Sequence, residues 1–183
     1  MAPWIETASG KKYHFLSPKL EDICIEDIGF ALSNKCRFSG HTQFYSVAEH
    51  CVAVARRLPR RLQLAGLLHD AAEAYLGDIP SPLKEHLPDY KNLERINEAV
   101  IEEKFNILLS SNERREIKQA DLQALYNEAY FLLPSQGEEF SMFQHKKWEL
   151  DRIYPECLPP EDAFRVFMST YHSLALPIQM ELF

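Results

Sequence analysis

From residue 25 onward, apolar positions recur at three- and four-residue intervals, the period of helices that turn one face toward a core. In IEDIGFALSN, residues 25 to 34, Ile25, Ile28 and Leu32 share such a face, with Gly29 weakening the pattern. Ser46 and Glu49 make a capping-box pattern ahead of VAEHCVAVARRL, a helix that ends near Pro59. A second helix begins around Arg60 and carries LQLAGLLHDAAEAYL, after which Gly77 closes it and Pro80 and Pro82 prevent continuation. Residues 88 to 108 form a further amphipathic segment. The longest helical pattern starts at Ser110, where Glu113 completes a second capping box. A last helix is expected over 159 to 173, followed by a short apolar tail, LALPIQMELF.

The other segments break this period. The first 22 residues alternate in short pieces around Gly10 and Pro18, as a small hairpin or a strap across the domain would. KCRFSGHTQFY reads as a loop, and QGEEFSMFQHKKWELDRIYPECLPP mixes short helical pieces with proline breaks. With neither a repeat nor a linker, the pattern predicts an all-α fold, a single domain over residues 1 to 183 with a short N-terminal hairpin or strap.

Composition narrows the class. At 183 residues, with 46% hydrophobic and 26% charged, the chain has enough apolar surface for a sizeable core. A net charge of -7 argues against a broad nucleic-acid surface and points to small molecules or proteins as partners. The basic group HKKW at 145 to 148 is followed by ELD and reads as solvated surface or an oligomer contact. No run approaches the length of a membrane span. Cys24, Cys36, Cys51 and Cys157 lack metal-ribbon spacing, and no secretion signal precedes them, so buried thiols in a reducing cytoplasm are expected.

The candidate chemistry lies in LLHDAAEAYLGDIPSPLK. On a helix over 61 to 76, His69 and Glu73 are four apart and Asp70 and Glu73 three apart, so all border one edge beside the core-facing Leu64, Leu67 and Leu68. Ionisable groups rooted in so apolar a helix need partners. Shared coordination of a cation is one solution; a capped or solvent-facing pair is another. His50 in the preceding helix and Asp121, between Ala120 and Leu122, extend the set. Nitrogen and oxygen donors of this kind suit one divalent transition metal, zinc, cobalt, manganese, iron or nickel, and less naturally magnesium. Phosphate-loop, dinucleotide, nucleophile-elbow and HExxH motifs are missing from the sequence.

Taken in order, VAEH at 47 to 50, LLHDAAE at 67 to 73, GDIPSPLK at 77 to 84 and KQAD at 118 to 121 resemble successive motifs of the HD-domain phosphohydrolases. They are most similar to the compact branch of bacterial 5'-deoxynucleotidases and phage deoxynucleoside triphosphate triphosphohydrolases, over about residues 25 to 130. The resemblance implies an HD-domain helical bundle with His50, His69, Asp70 and Asp121 as metal ligands, and Glu73, with Asp70, orienting water or transferring a proton, Glu73 otherwise forming a salt bridge that supports the ligands. It implies phosphate recognition by Arg37, with Lys84 adding positive charge or lying on the surface as an ordinary lysine. Asp78 is expected near the sugar or phosphate, or as a simple helix end. Phe38 stands where that branch has tryptophan, and either polices the sugar's 2' position or packs beneath its loop. His41 would touch phosphate, donate a proton or serve the loop, and Lys118 would contact phosphate or support an ion pair.

The implied substrate is a (deoxy)nucleotide, hydrolysed at the phosphorus nearest the sugar. The short VAEH to LLHD spacing resembles the phage-type proteins, which makes a dATP triphosphohydrolase releasing deoxyadenosine and triphosphate the leading expectation. A 5'-deoxynucleotidase acting on deoxynucleoside monophosphates comes next, then a cyclic-nucleotide phosphodiesterase or a non-catalytic nucleotide-binding protein. Such a protein would work in the cytoplasm, the host's if phage-encoded, with a homo-oligomer possible.

Overall fold

The computed structural model describes residues 3–144 and 147–180, with the backbone alone from 176 onward. The fold is all-α with one small sheet. Strand β1 (Ile5–Glu6) pairs antiparallel with β2 (Lys12–Tyr13), Ile5 opposite Tyr13. The helices are α1 (Ile25–Ser33), α2 (Val47–Arg56), α3 (Arg60–Leu67), α4 (Glu73–Leu76), α5 (Ser81–Lys84), α6 (Pro88–Lys104), α7 (Ser111–Leu132) and α8 (Pro160–Met180).

Helix α2 sits at the centre, packed against α1, α3, α7 and α8. It is buried from Val47 through Val52 and again at Val54 and Ala55, so it has almost no solvent face. Its apolar side chains join Ile28 and Leu32 of α1, Leu67 of α3 and Phe167 of α8 in the main core. Helix α1 approaches α8 at Gly29, where a Cβ would meet Phe167 at 3.0 Å and Phe164 at 3.2 Å. The glycine that weakens the helical pattern is therefore what lets the two helices close.

The opening residues form both a hairpin and a strap. Ser9 at the hairpin tip donates through N–H and Oγ to Asp27 at the start of α1, each at 2.7 Å. Tyr13 is fully buried, stacks on Tyr75 with centroids 3.6 Å apart, and donates to Asn97 Oδ1 of α6 at 2.6 Å.

Four expectations are corrected. The helix expected over 61 to 76 breaks: α3 ends at Leu67, residues 68 to 72 form tight turns, and α4 starts at Glu73. Hydrogen bonds there run back three residues, Ala71 to Leu68 and Glu73 to Asp70, while His69 Nδ1 engages the Gly66 carbonyl at 2.8 Å. The last helix passes residue 173 and continues to Met180. Proline 177 brings no N–H, and the carbonyl of Ser173 accepts from the Arg60 guanidinium. Only the first half of the box at Ser46 forms: its Oγ accepts from Glu49 N–H at 3.1 Å, but the Glu49 carboxylate accepts instead from the backbone of Glu156, Cys157 and Leu158. The thiols are all free, yet of the four only Cys51 is buried. The box at Ser110 forms in full. Of HKKW, the first two residues lie outside the described residues, as do the last three of the tail.

Candidate metal centre

The chain break between α3 and α4 positions the site. On an unbroken helix, adjacent side chains diverge by about 100°. The turns over 68 to 72 instead point His69 and Asp70 at the same place, with His69 Nε2 3.2 Å from Asp70 Oδ2. Central helix α2 supplies His50, whose Nε2 lies 3.6 Å from Asp70 Oδ2 and 3.2 Å from Asp121 Oδ1 of α7. His69 Nε2 is 3.9 Å from the same Asp121 oxygen.

Both imidazole Nε2 atoms are buried without a hydrogen-bond partner, which is costly for a polar atom unless something else satisfies it. Two ring nitrogens and two carboxylates linked by these short contacts are a donor set for a divalent cation. His50, His69 and Asp121 by themselves bring their ligand atoms within 4.8 Å of one another, and these side chains can hold a metal ion. Cys51, His69 and Asp70 form a second such group within 4.8 Å, in which burial pushes the free thiol up to about 11.

The remaining Nδ1 atoms are occupied. His69 uses a backbone carbonyl, and His50 Nδ1 lies 2.6 Å from Glu128 Oε1. Burial opposes ionisation of Glu128, but the charge of Arg37 and the hydrogen bonds from His50 and Tyr45 outweigh it and hold the carboxyl down at about 2. An ionised Glu128 fixes the proton of His50 on Nδ1 and turns Nε2 inward as an acceptor. The same carboxylate accepts from Tyr45 OH and from Arg37 Nε, both at 3.0 Å.

Arg37 reaches this point through the loop between α1 and α2. Its N–H donates to Tyr45 O at 2.8 Å, Cys36 bridges to Ser46, and Phe38 and Ser39 hold left-handed φ of 53° and 52°. Such backbone is strained for residues with a side chain. The guanidinium Nη1 ends 4.0 Å from Asp70 Oδ2, and the half-buried Phe38 ring lies 5.7 Å from the guanidinium carbon.

Glu73, at the start of α4, is buried, with Oε1 3.3 Å from Lys84 Nζ and Oε2 without a hydrogen-bond partner. Burial, reinforced by Asp70 and Asp78, raises its carboxyl to about 9 against the pull of Lys84 and Arg37. Asp78 follows Gly77 and is half-buried; burial raises its carboxyl, opposed by Arg37. Lys84 is not a free surface lysine: it is 17% exposed and also lies 2.5 Å from Glu94. Lys118 is exposed and pairs with Asp121 Oδ2 at 2.7 Å. His41 follows the 3-10 turn Phe38–Gly40 and is exposed. For His69, burial disfavours the cation, but neighbouring Asp70 outweighs it and holds the imidazole well above its ordinary value. The ligand side opens into a cleft of about 420 Å³ lined by His69, Asp70 and Asp121 together with Lys84, Glu94 and Arg114.

Glu128 and Tyr45 escaped the sequence reading. The signal available for Glu128 was its place seven residues after Asp121, two turns along the same face of α7.

Fold and site together define an all-α protein carrying a partly buried histidine–aspartate centre with the donor set of a divalent-metal site. No family model matches the chain. It is 38% identical over 176 residues to the uncharacterized protein YfdR of Escherichia coli, covering 94% of this chain and 96% of that one. It is 31% identical over 196 residues to an uncharacterized protein of Rhodobacter capsulatus, covering 93% and 95%. The chain belongs to the family of these two proteins. Part of it is also similar to a 5'-deoxynucleotidase of Photorhabdus temperata, 30% identical over 99 residues, 45% of this chain and 50% of that protein.

Proposed function

We propose that this protein is a metal-dependent nucleotide phosphohydrolase of the HD kind that acts on deoxynucleoside 5'-monophosphates. The observation that carries the reading is the convergence of His50, His69, Asp70 and Asp121, with two unsatisfied Nε2 atoms, beside Arg37 and a buried Glu73. The name of the partial relatives, 5'-deoxynucleotidase, supports the substrate class.

His50, His69, Asp70 and Asp121 would hold the ion, which when bound supplies charge neutralisation at phosphoryl oxygens and a more acidic water. Arg37 presents its planar fork to phosphate oxygens beside Asp70. Glu73 Oε2, buried and unengaged, is the atom to hold the attacking water or to hand a proton to the departing 5' oxygen. Water adds to phosphorus, the bond to the 5' oxygen breaks, and nucleoside and phosphate leave.

The resemblance to phage-type proteins favours dATP as a triphosphohydrolase substrate, but the relatives supply no counterpart. The charges also weigh against it. Lys84 is paired with Glu73 and Glu94, Lys118 with Asp121, and Arg114 with Glu102, so these cations are already committed before a polyphosphate arrives. A single phosphate needs fewer. Chromatography of products from dAMP, dATP and the other deoxynucleoside triphosphates, each with manganese, cobalt or magnesium, tests the choice. Deoxyadenosine and phosphate from dAMP are expected. Intact triphosphate released from dATP with dAMP left untouched would restore the triphosphohydrolase reading.

A further inference from the structure

We propose that Glu128 is the positioning residue that couples the metal ligand His50 to the phosphate-binding Arg37, with Tyr45 holding the carboxylate in place. The inference rests on the roles given above to His50 and Arg37, and it adds a link between them.

Glu128 is 2% exposed, and both of its oxygens are used. Oε1 accepts from His50 Nδ1 at 2.6 Å and Tyr45 OH at 3.0 Å, and Oε2 accepts from Arg37 Nε at 3.0 Å. An ionised carboxylate this deeply buried persists only when its lone pairs are taken by strong donors. These donors come from three separate places: His50 from α2, and Arg37 and Tyr45 from the two ends of the loop that precedes it. Two of the three have their other end in the site. Binding His50 through Nδ1 leaves Nε2 for the ion, and binding Arg37 through Nε leaves its terminal nitrogens for phosphate. One side chain thus sets the angle of a ligand ring and of an anion fork together. His69 has only a neutral carbonyl behind it, so the charge-assisted support falls on His50 alone.

The test uses the full chain, stripped of metal and titrated with Co2+, and reads affinity, the visible Co2+ absorption and, separately, KM and kcat on a deoxynucleoside monophosphate. Glu128→Gln keeps the shape but sets an amide N–H2 against a donor. Expected are a Co2+ affinity about 10- to 100-fold weaker, an altered Co2+ spectrum and a KM raised about tenfold. Glu128→Asp keeps the charge and withdraws it by one methylene, and it carries the test if the glutamine variant does not fold. A mere buried counter-charge is rescued by aspartate; a positioning group is not. The aspartate variant is therefore expected to fold, with a lowered melting temperature, while binding Co2+ about tenfold more weakly. A folded variant with Co2+ affinity, spectrum and KM within twofold of wild type overturns the inference, as does wild-type protein that binds no Co2+. Should wild type bind Co2+ yet hydrolyse no nucleotide, the proposed activity fails, while the Co2+ measurements still decide the role of Glu128 toward His50.

Discussion

Asp70 gathers three side chains of the site at one oxygen, with His50, His69 and Arg37 all within 4.0 Å of Oδ2. Burial would raise its carboxyl, but His69 overrides this and keeps it below the usual range, so it is an anion at every physiological pH. Asp70→Asn preserves the shape and removes that charge. Turnover is expected to fall by about two orders of magnitude or more with an unchanged circular dichroism spectrum. Normal metal content together with near-normal turnover would sink the role given to Asp70. Arg37→Ala should act differently, raising KM for nucleotide about tenfold or more with a smaller change in kcat. Unchanged kinetics on every nucleotide offered would contradict phosphate binding by Arg37. The side chains that the fold gathers were legible because histidine and aspartate stand out when set in an apolar helix. Glu128 was not: α7 carries glutamates at several positions, and only the tertiary approach of His50 separates this one from its solvent-facing neighbours.

Helix starts were legible where the chemistry is local. Ser46 and Ser110 both accept from the N–H three residues on, as their sequences require. The break after Leu67 was not legible, because LLHDAAEAYL contains no glycine or proline to mark it. It is imposed by side chains, His69 turning to the Gly66 carbonyl and Asp70 to both imidazoles. Beyond α4 the chain turns at Gly77, with φ 91° and ψ 154°, a region effectively closed to other residues. This turn carries Asp78 toward the site, and its carbonyl accepts from Tyr90 OH at 2.8 Å. Gly77→Ala is expected to cost about 1–3 kcal/mol in stability and to lower activity as Asp78 shifts. Urea unfolding measures the first; a stability equal to wild type would mean that the turn tolerates a Cβ without strain.

Across the whole molecule, an acidic chain buries Glu73 and Glu128 beside His50 at one centre, while the buried Asp27 and Glu49 hold the hairpin and residues 156 to 158. The pH dependence of stability follows from that centre. The Glu73 carboxyl sits near 9 in the folded, metal-free protein against an ordinary 4.5. Its raised value gives a contribution that is fully present below 4.5 and is lost as pH rises toward about 9, because the unfolded chain releases that proton first. The melting temperature of metal-free wild type should therefore fall over this window, and that of Glu73→Gln should fall less. Parallel curves would show that Glu73 titrates normally. Architecture at this scale was readable from apolar period, and the hairpin from its turn residues. What escaped was long-range: Glu49, predicted to close a local cap, instead holds the backbone of residues 156 to 158, more than one hundred positions away.

The central claim is that one buried ion at His50, His69, Asp70 and Asp121 is required for nucleotide hydrolysis. Phosphate release from dAMP, followed before chelation, after it and after stoichiometric return of a divalent transition metal, tests this most directly. Activity should vanish on stripping, return with about one ion per chain, and fail to return in Asp121→Ala. Phosphate release that survives complete metal removal, or that is absent under every metal offered, would contradict it.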